Sequence, residues 1–411
     1  MNVWQTRRVG DMAQLINGFP FDSADFGSTG DIPLVRIRDI TATDFETFVP
    51  ASVVPADKVL RDGDVVIGMD GDFNVTFWRR GPAALNQRVC ALRSNGTTDM
   101  RFLAYVLPDL LKIINDLTYS TTVKHLASSQ VTGLRLKAPE REEQRRIADY
   151  LDRETAKIDT LIEKQMRLLA LLVERRRAVR KHVALRGVDS DARTTSAPDE
   201  WAGQVPTHWR FVPLLAVSRL GSGHTPSKSR PELWVDAKIP WISLRDVGAM
   251  RGITFLSETH TLISERGLAS SSARILPAGT VVLSRDATIG RTAIMGRDMA
   301  TSQHFATWTC GPEVLPEYLH LVLSDAMQDH LESLTDGSTL RTIGMGDIRA
   351  LRVPLPPVDE QQEIVIFARD VTDKIDTLIA KAERFIELAQ ERRAALITAA
   401  VTGQIEIPTE D

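Results

Sequence analysis

Apolar residues recur every three or four positions from Ile147 onward, through Leu151, Ile158, Leu161 with Ile162, Leu168 with Leu169, Leu172 and Val179. The same spacing returns from Ile364, through Ala368, Val371, Ile375, Leu378, Ala382, Phe385, Ala389 and Leu396. A narrow apolar stripe of period 3.5, kept over several heptads between charged outer faces, predicts a two-helix coiled coil. Two helices lying on separate cores would show a broader stripe. Pro139, and Pro354, Pro356 and Pro357, stop the strand before each helix. The acidic residues Glu140, Glu142 and Glu143, or Asp359, Glu360 and Glu363, suit the positive helix start. Both helices finish basic, at Arg175, Arg176, Arg177, Arg180 and Lys181 and at Arg392 and Arg393, so antiparallel pairing brings opposite charges together. Arg393, a polar residue near the seam, is expected to reach Asp149 or Asp152 of the first helix.

The word KIDTLI occurs at Lys157–Ile162 and again at Lys374–Ile379, and the match extends both ways. Upstream, Pro139, Glu143, Gln144 and Ile147 align with Pro356, Glu360, Gln361 and Ile364, and downstream Glu174-Arg175-Arg176 aligns with Glu391-Arg392-Arg393. Farther upstream, STTVKHL (120–126) lies over GSTLRTI (337–343), LAYVLPDLL (103–111) over LHLVLSDAM (319–327), and IPLVRIRDI (32–40) over IPWISLRDV (239–247). The offset drifts only from about 207 to 217 residues, so the chain is a tandem duplication of one long unit. Each front module mixes short β-type runs (IPLVRI, DVVIGM, QRVCAL; KIPWISL, GTVVLS, FATWTC) with a helical stretch near 101–116 or 316–332. The predicted organisation is a first module over 1–139, a helix over 140–186, a polar, proline-bearing linker over 187–209, a second module over 210–355, a helix over 356–404 and a tail over 405–411. The fold class is α+β: two globular mixed α/β modules joined by two long helices in an antiparallel coiled coil.

Composition narrows the classes further. The chain has 411 residues, enough for two or three domains. No run of about 18 apolar residues exists and the N-terminus lacks a signal-type apolar stretch, which predicts a soluble cytoplasmic protein with no membrane partner. Two cysteines, Cys90 and Cys310, suit a reducing compartment. The net charge of −4 argues against unselective coating of nucleic acid but leaves room for a basic face. Candidate chemistry is sparse. GSGHTPSK (221–228) lacks the spacing of a phosphate loop, and Gly221-Ser222-Gly223 is too short for a methyl-donor loop. No Asn/Asp-Pro-Pro-aromatic stretch occurs, and Pro108-Asp109 with Lys112 lies in an apolar helical pattern. The eight histidines form no metal-ligating pair. Asp62, Asp64, Asp70 and Asp72 flank a strand-like Val65-Val66-Ile67. No catalytic constellation emerges, and no cofactor is expected on this chain.

What remains is a recognition surface. Duplicated modules a fixed distance apart suit duplex DNA, whose backbone has two-fold axes perpendicular to its length. A helix of about 45 residues spans roughly 65 Å, or about two turns of duplex. In the first module Arg36, Arg38, Asn74, Trp78, Arg79, Arg80, Asn86, Gln87, Arg88, Lys124 and His125 gather around the matched segments. In the second, His224, Lys228, Arg245, Arg285, Arg291, Gln303, His304 and Arg341 do so. Arg, Asn and Gln read purine edges bidentately, and Lys and Arg hold phosphates.

These features together are similar to the specificity subunit of type I restriction–modification systems. The resemblance rests on Gly203-x-x-Pro206-x-x-Trp209, Ile239-Pro240-Trp241-Ile242 with Arg245-Asp246, LNQRV (85–89), TTVKHL (121–126) and the Pro-x-x-x-Glu-Gln-x-x-Ile start of both helices. It covers essentially the whole chain. It implies two target-recognition domains, each reading one half of a bipartite, asymmetric double-stranded DNA site. It implies helices that set the gap and dock two adenine-methyltransferase (modification) subunits, to which restriction (motor-nuclease) subunits can add. The subunit itself is non-catalytic in that family; its partners use S-adenosylmethionine, and ATP with Mg for restriction. GSGHTPSK departs from a plainer Gly-Gly-Thr-Pro loop and leaves the role of His224 open. The run Arg175–Arg177 is open to phosphate, a partner subunit or solvent, and Leu171, Phe385, Ile386 and Leu388 are candidates for a docking stripe. The alternative is a coiled-coil scaffold that bridges two protein partners without touching DNA.

Overall fold

The computed structural model describes residues 4–117, 124–335 and 341–408. Thr121, Thr122 and Val123 of the TTVKHL motif, its counterparts at 337–340 and the last three residues of the tail lie outside them. The chain divides into two compact units, Met1–Met166 with Arg384–Asp411, and Arg167–Glu383.

In the first unit, four antiparallel strands lie in the order Ala13–Asn17, Val89–Ser94, Val65–Gly68, Val75–Phe77. Val65–Gly68 is buried along its whole length, so its sequence runs apolar without alternation. A second sheet has Ile32–Val35 and Ala83–Leu85 paired in parallel at its centre. The helix Met100–Leu117 lays Phe102, Leu103, Val106, Leu107 and Leu111 into the core that contains Val65 and Ile67. Gln5–Arg8 pairs with Arg135–Ala138, the strand that leads into the first long helix.

The second unit repeats this plan. Five strands run in the order Ser218–Ser222, Phe305–Cys310, Val281–Ser284, Thr292–Met295, Phe255–Leu256, and a smaller sheet holds Ile239–Ile242 parallel to Ala300–Thr301. Arg210–Pro213 pairs with Arg352–Leu355. The helix expected near 316–332 is broken into Pro316–Leu321, a π-helical turn Val322–Ala326 and Gln328–Ser333. The stretch 187–209 is more than a linker. Thr194–Ser196 pairs with Gln204–Pro206, and Ala202, Val205 and Trp209 are buried in the second unit's core.

The long helices are Arg141–Arg186 and Val358–Val401. Gln144 and Gln361 explain the shared Glu-Gln motif at their starts. Gln144 donates to the Pro139 carbonyl at 2.8 Å and accepts from the Asp99 amide at 3.1 Å. Gln361 donates to the Pro356 carbonyl at 2.9 Å and accepts from the Leu315 amide at 2.8 Å. Each buried glutamine thus staples a helix start to its front module.

Each unit holds the first half of one long helix against the last half of the other, and the pairing is antiparallel. In the first unit Ile147 and Leu151 share a core with Ala400 and Val401; in the second Val183 and Ala184 share one with Ile364 and Ala368. Buried and half-buried positions alternate four and three apart at equivalent places of both helices, from Ala148 and Val365 to Val183 and Ala400. Leu151, Ile158, Ile162, Leu172 and Val179, with Ala368, Ile375, Ala382 and Leu396, belong to this seam; Val371 is half-buried beside it, and Ile147 and Ile364 lie one residue before its first places, buried in the cores of the two units. Leu161, Leu378 and Phe385 do not. They are 47%, 50% and 41% exposed, because each lies one residue before a seam position and so turns to its flank. Thr155, Thr372, Arg176 and Arg393 take seam places instead. Arg393 reaches neither Asp149 nor Asp152; it binds Asp159 at 2.8 and 3.3 Å. Its counterpart Arg176 binds Asp376 at 2.6 Å.

Candidate nucleic-acid interface

In both front modules a glycine permits a loop to press onto the neighbouring chain. A Cβ on Gly18 would lie 1.8 Å from the Asn86 carbonyl oxygen, and one on Gly223 would lie 1.7 Å from that of Thr301. Only glycine fits either place. In GSGHTPSK, Gly223 makes the approach, the His224 amide bonds the Thr301 carbonyl at 3.0 Å, and the His224 carbonyl accepts from the Trp241 indole at 3.2 Å. The His224 side chain is exposed.

These loops carry Asn86, Gln87 and Arg88 in the first unit and Ser302, Gln303 and His304 in the second. Arg88 meets Asp70 at 3.3 Å, and His125 meets the other oxygen of Asp70 at 2.6 Å. His304 meets Asp286 at 2.5 Å. Beside His304 a pocket of about 400 Å³ opens between Lys228, Arg245, Trp234, Trp241 and Ser302. The Ser302 hydroxyl is buried there without a hydrogen-bond partner among the described residues. The structure therefore gathers Arg88, His125 and exposed Gln87 in one unit, and Lys228, Arg245, Gln303 and His304 in the other.

Other candidates have different work. Trp78 is 0% exposed and donates its indole N–H to the Gly81 carbonyl, so it offers no face to a ligand. Arg80 stacks on Phe45, 3.8 Å from its centroid, and donates to the Asp39 carbonyl at 2.8 Å. Arg36 is held by Asp39 and Thr47. Lys124 is tied to the Asn115 carbonyl and side chain. Arg285 donates to the carbonyls of Ile343 and Gln303 at 2.9 and 3.0 Å. Arg79 pairs with Asp152 of the first long helix, and Arg291 lines a separate cleft beside the helices. Arg38 pairs with Glu46, and Asn74 and Arg341 stand exposed.

Among the described residues no group of three or more His, Cys, Asp or Glu could hold a metal ion. Asp62 caps the Gly81 amide and Asp64 is buried against Arg93 at 2.6 and 2.9 Å, while Asp70 holds Arg88 and His125 and Asp72 stands exposed. Burial pushes the Cys90 and Cys310 thiols up to about 12, far from a reactive thiolate. No helix among the described residues is long and apolar enough to cross a membrane.

Sequence reasoning missed Asp70 as a holder of Arg88, and missed Asp286 altogether. The signal was available: both stand at equivalent places in the duplicated unit.

The family model of the type I restriction modification DNA specificity domain matches residues 1–169 and 206–387, one copy in each repeat. The specificity subunit of the type I restriction enzyme EcoBI from Escherichia coli is 27% identical over 412 residues, covering 98% of this chain and 86% of the relative. The MjaIX specificity subunit of Methanocaldococcus jannaschii is 28% identical over 190 residues, 46% of this chain and 44% of the relative. A solved structure described as showing complex assembly and conformational transition of the type I R-M system shares the fold with a TM-score of 0.68. It is 18% identical, and the match covers 98% of this chain and 99% of that one. The HsdS subunit from Thermoanaerobacter tengcongensis matches with a TM-score of 0.54 at 17% identity, over 98% of both chains. A duplicated specificity domain spanning most of the sequence thus identifies the chain as a member of the type I restriction–modification DNA specificity family, a non-catalytic subunit that recognises DNA by sequence.

Proposed function

We propose that each front module reads one half of a bipartite, asymmetric site on double-stranded DNA, and that the long helices set the gap between halves. The observation that carries this is the equivalence of Arg88 on Asp70 with His304 on Asp286: the same place, occupied by side chains of different hydrogen-bonding capacity. Two unlike reading heads imply two unlike half-sites.

The helices are also the docking surface for two adenine-methyltransferase subunits. Leu161, Leu168 and Leu171 lie exposed along the flank of the first helix, and Leu378, Phe385 and Leu388 repeat them at equivalent places on the second. An exposed apolar stripe kept in both repeats suits two copies of one partner. In that complex S-adenosylmethionine belongs to the methyltransferase subunits, ATP with Mg to any motor-nuclease subunits, and the assembly acts in the cytoplasm.

A map of methylated adenines in the host genome, with and without this gene, tests the reading. Loss of one gapped motif is expected; an unchanged map excludes it and leaves the protein-bridging scaffold. Deleting one heptad from both helices is expected to change the gap while each half-site stays readable. Leu168→Glu with Leu388→Glu is expected to abolish co-elution with the methyltransferase subunits while the circular dichroism spectrum stays that of the folded chain.

A further inference from the structure

The front modules share little sequence outside their anchor segments, yet one backbone frame recurs in both. The Met69 amide bonds the Arg88 carbonyl at 3.0 Å, and the Arg285 amide bonds the His304 carbonyl at 2.9 Å. The Leu126 amide bonds the Met69 carbonyl at 2.7 Å, and the Ile343 amide bonds the Arg285 carbonyl at 3.0 Å. Asp70 bridges to His125, and Asp286 bridges to Thr342. Three segments therefore meet the same way in each unit, and in each a carboxylate projects beside the loop that carries a glutamine and a nitrogen base.

What the carboxylate holds differs. In the first unit Asp70 is shared by Arg88 and His125, and the Arg88 side chain remains 56% exposed. A guanidinium bound at one nitrogen keeps donors free for a bidentate contact. In the second unit a chain of hydrogen bonds runs across the loop. The Thr225 hydroxyl donates to Gln303 Oε1 at 2.6 Å, Gln303 Nε2 faces His304 Nε2 at 3.4 Å, and His304 Nδ1 faces Asp286 at 2.5 Å. The carboxylate sets the imidazole proton on Nδ1, so Nε2 accepts from the Gln303 amide, and the hydroxyl selects the amide's oxygen side. The Gln303 orientation is thereby defined, with one N–H and one oxygen lone pair left over. Pro20 stands where Thr225 does in the first unit, so Gln87 has no such hydroxyl.

We infer that Arg88 and Gln303 are the specificity-determining residues of the two half-sites, and that Asp70 and Asp286 are positioning residues that aim them from one shared frame. The donor fork of Arg88 selects guanine through O6 and N7; the donor–acceptor pair of Gln303 selects adenine through N6 and N7. The inference rests on the DNA-reading function proposed above and names its chemistry.

The test uses the full chain assembled with its methyltransferase subunits, S-adenosylmethionine and a randomised duplex library, with methylated sequences read out. Arg88→Lys, which keeps the charge and loses the fork, is expected to cut preference for one guanine in the first half-site roughly tenfold. Gln303→Ala is expected to do the same for one adenine in the second. Asp70→Asn and Asp286→Asn are expected to relax those same positions and no others. The half-site read by the untouched unit reports that each variant has folded and assembled. A variant that lowers methylation of all sequences equally, leaving the motif sharp, would make Asp70 or Asp286 merely structural and overturn the inference. So would relaxation at another base or in the other half-site. A wild-type complex that methylates without any motif would instead overturn the DNA-reading function itself.

Discussion

In the first unit Arg101 reaches from the helix Met100–Leu117 to Asp149 at 2.6 Å and Asp152 at 3.2 Å, near the start of the first long helix. Tyr105 adds a 2.7 Å bond to Asp152, and Arg79 pairs with the same carboxylate. In the second unit Glu317 stands where Arg101 does, and Ile366 and Arg369 stand where Asp149 and Asp152 do. That clamp is gone, and a cleft of about 1130 Å³ is left open there, with buried His320 in its wall. Here the charge pairs fasten the other helix instead. Arg180 holds Asp325 at 2.9 and 3.0 Å, and Arg177 and Lys181 hold Asp329. The duplicated seam, by contrast, keeps the same spacing and the same ion pair in both units. A helix pair must match along its whole length, whereas the charged clamps only add to the glutamine staple that both units keep, so the clamps were free to diverge.

The largest expected effect probes what the units share. Ile147 and Ile364 are equivalent and fully buried, so Ile147→Ala and Ile364→Ala should each cost about 3 kcal/mol in urea denaturation. Costs differing by more than about twofold would show that the two helix starts do not pack equivalently on their front modules.

The next effect exists only in the second unit. Burial, reinforced by the charge of Arg180, holds the His320 imidazole down at about 4 against an ordinary 6.5. As pH falls from 6.5 towards 4, the unfolded chain binds a proton that the folded unit refuses, so stability is lost in that window, by up to about 3 kcal/mol at its lower end. Ala104 stands in this place in the first unit and contributes no such loss. Thermal unfolding across pH 4–6.5 should be less pH-sensitive in His320→Gln than in the unsubstituted chain; equal slopes would remove the assignment.

Arg101→Gln should cost about 2 kcal/mol, because Asp99, Asp149 and Asp152 lose a partner that is itself largely buried. Hydrogen exchange should rise near 99–105 and 149–155, and leave 317–329 unchanged. Arg180→Gln should give the reverse pattern. A rise in both regions from either variant would mean that the clamps are not separate.

The smallest effect is the seam ion pair. Arg393 with Asp159 and Arg176 with Asp376 are each more than a third exposed, so a double-mutant cycle should return about 0.5 kcal/mol for each. Unequal coupling would break the symmetry of the seam.

That pair also gives the repeated words their physical meaning. KIDTLI supplies the acceptors Asp159 and Asp376, and the repeated Glu-Arg-Arg supplies the donors Arg176 and Arg393. The period of the helices, their antiparallel charge logic and the duplication are written locally, because helix geometry relates residues three to seven apart and repeats can be aligned letter by letter. The strands at Val65–Gly68 and Val281–Ser284 were legible for the same reason, as short apolar runs between turns. Which neighbour faces the partner helix, Leu161 or Ile162, was not: both fit the spacing, and only packing against the antiparallel helix separates them. Trp78 reads as an aromatic among arginines until Arg80, Phe45 and Gly81 close around it. The carboxylates Asp70 and Asp286 acquire their roles only because strand pairing brings Arg88 and His304 to them. Periodicity and repetition are properties of the chain alone; burial and the choice of a charge's partner arise from contacts between residues far apart in sequence, and those the tertiary structure decides.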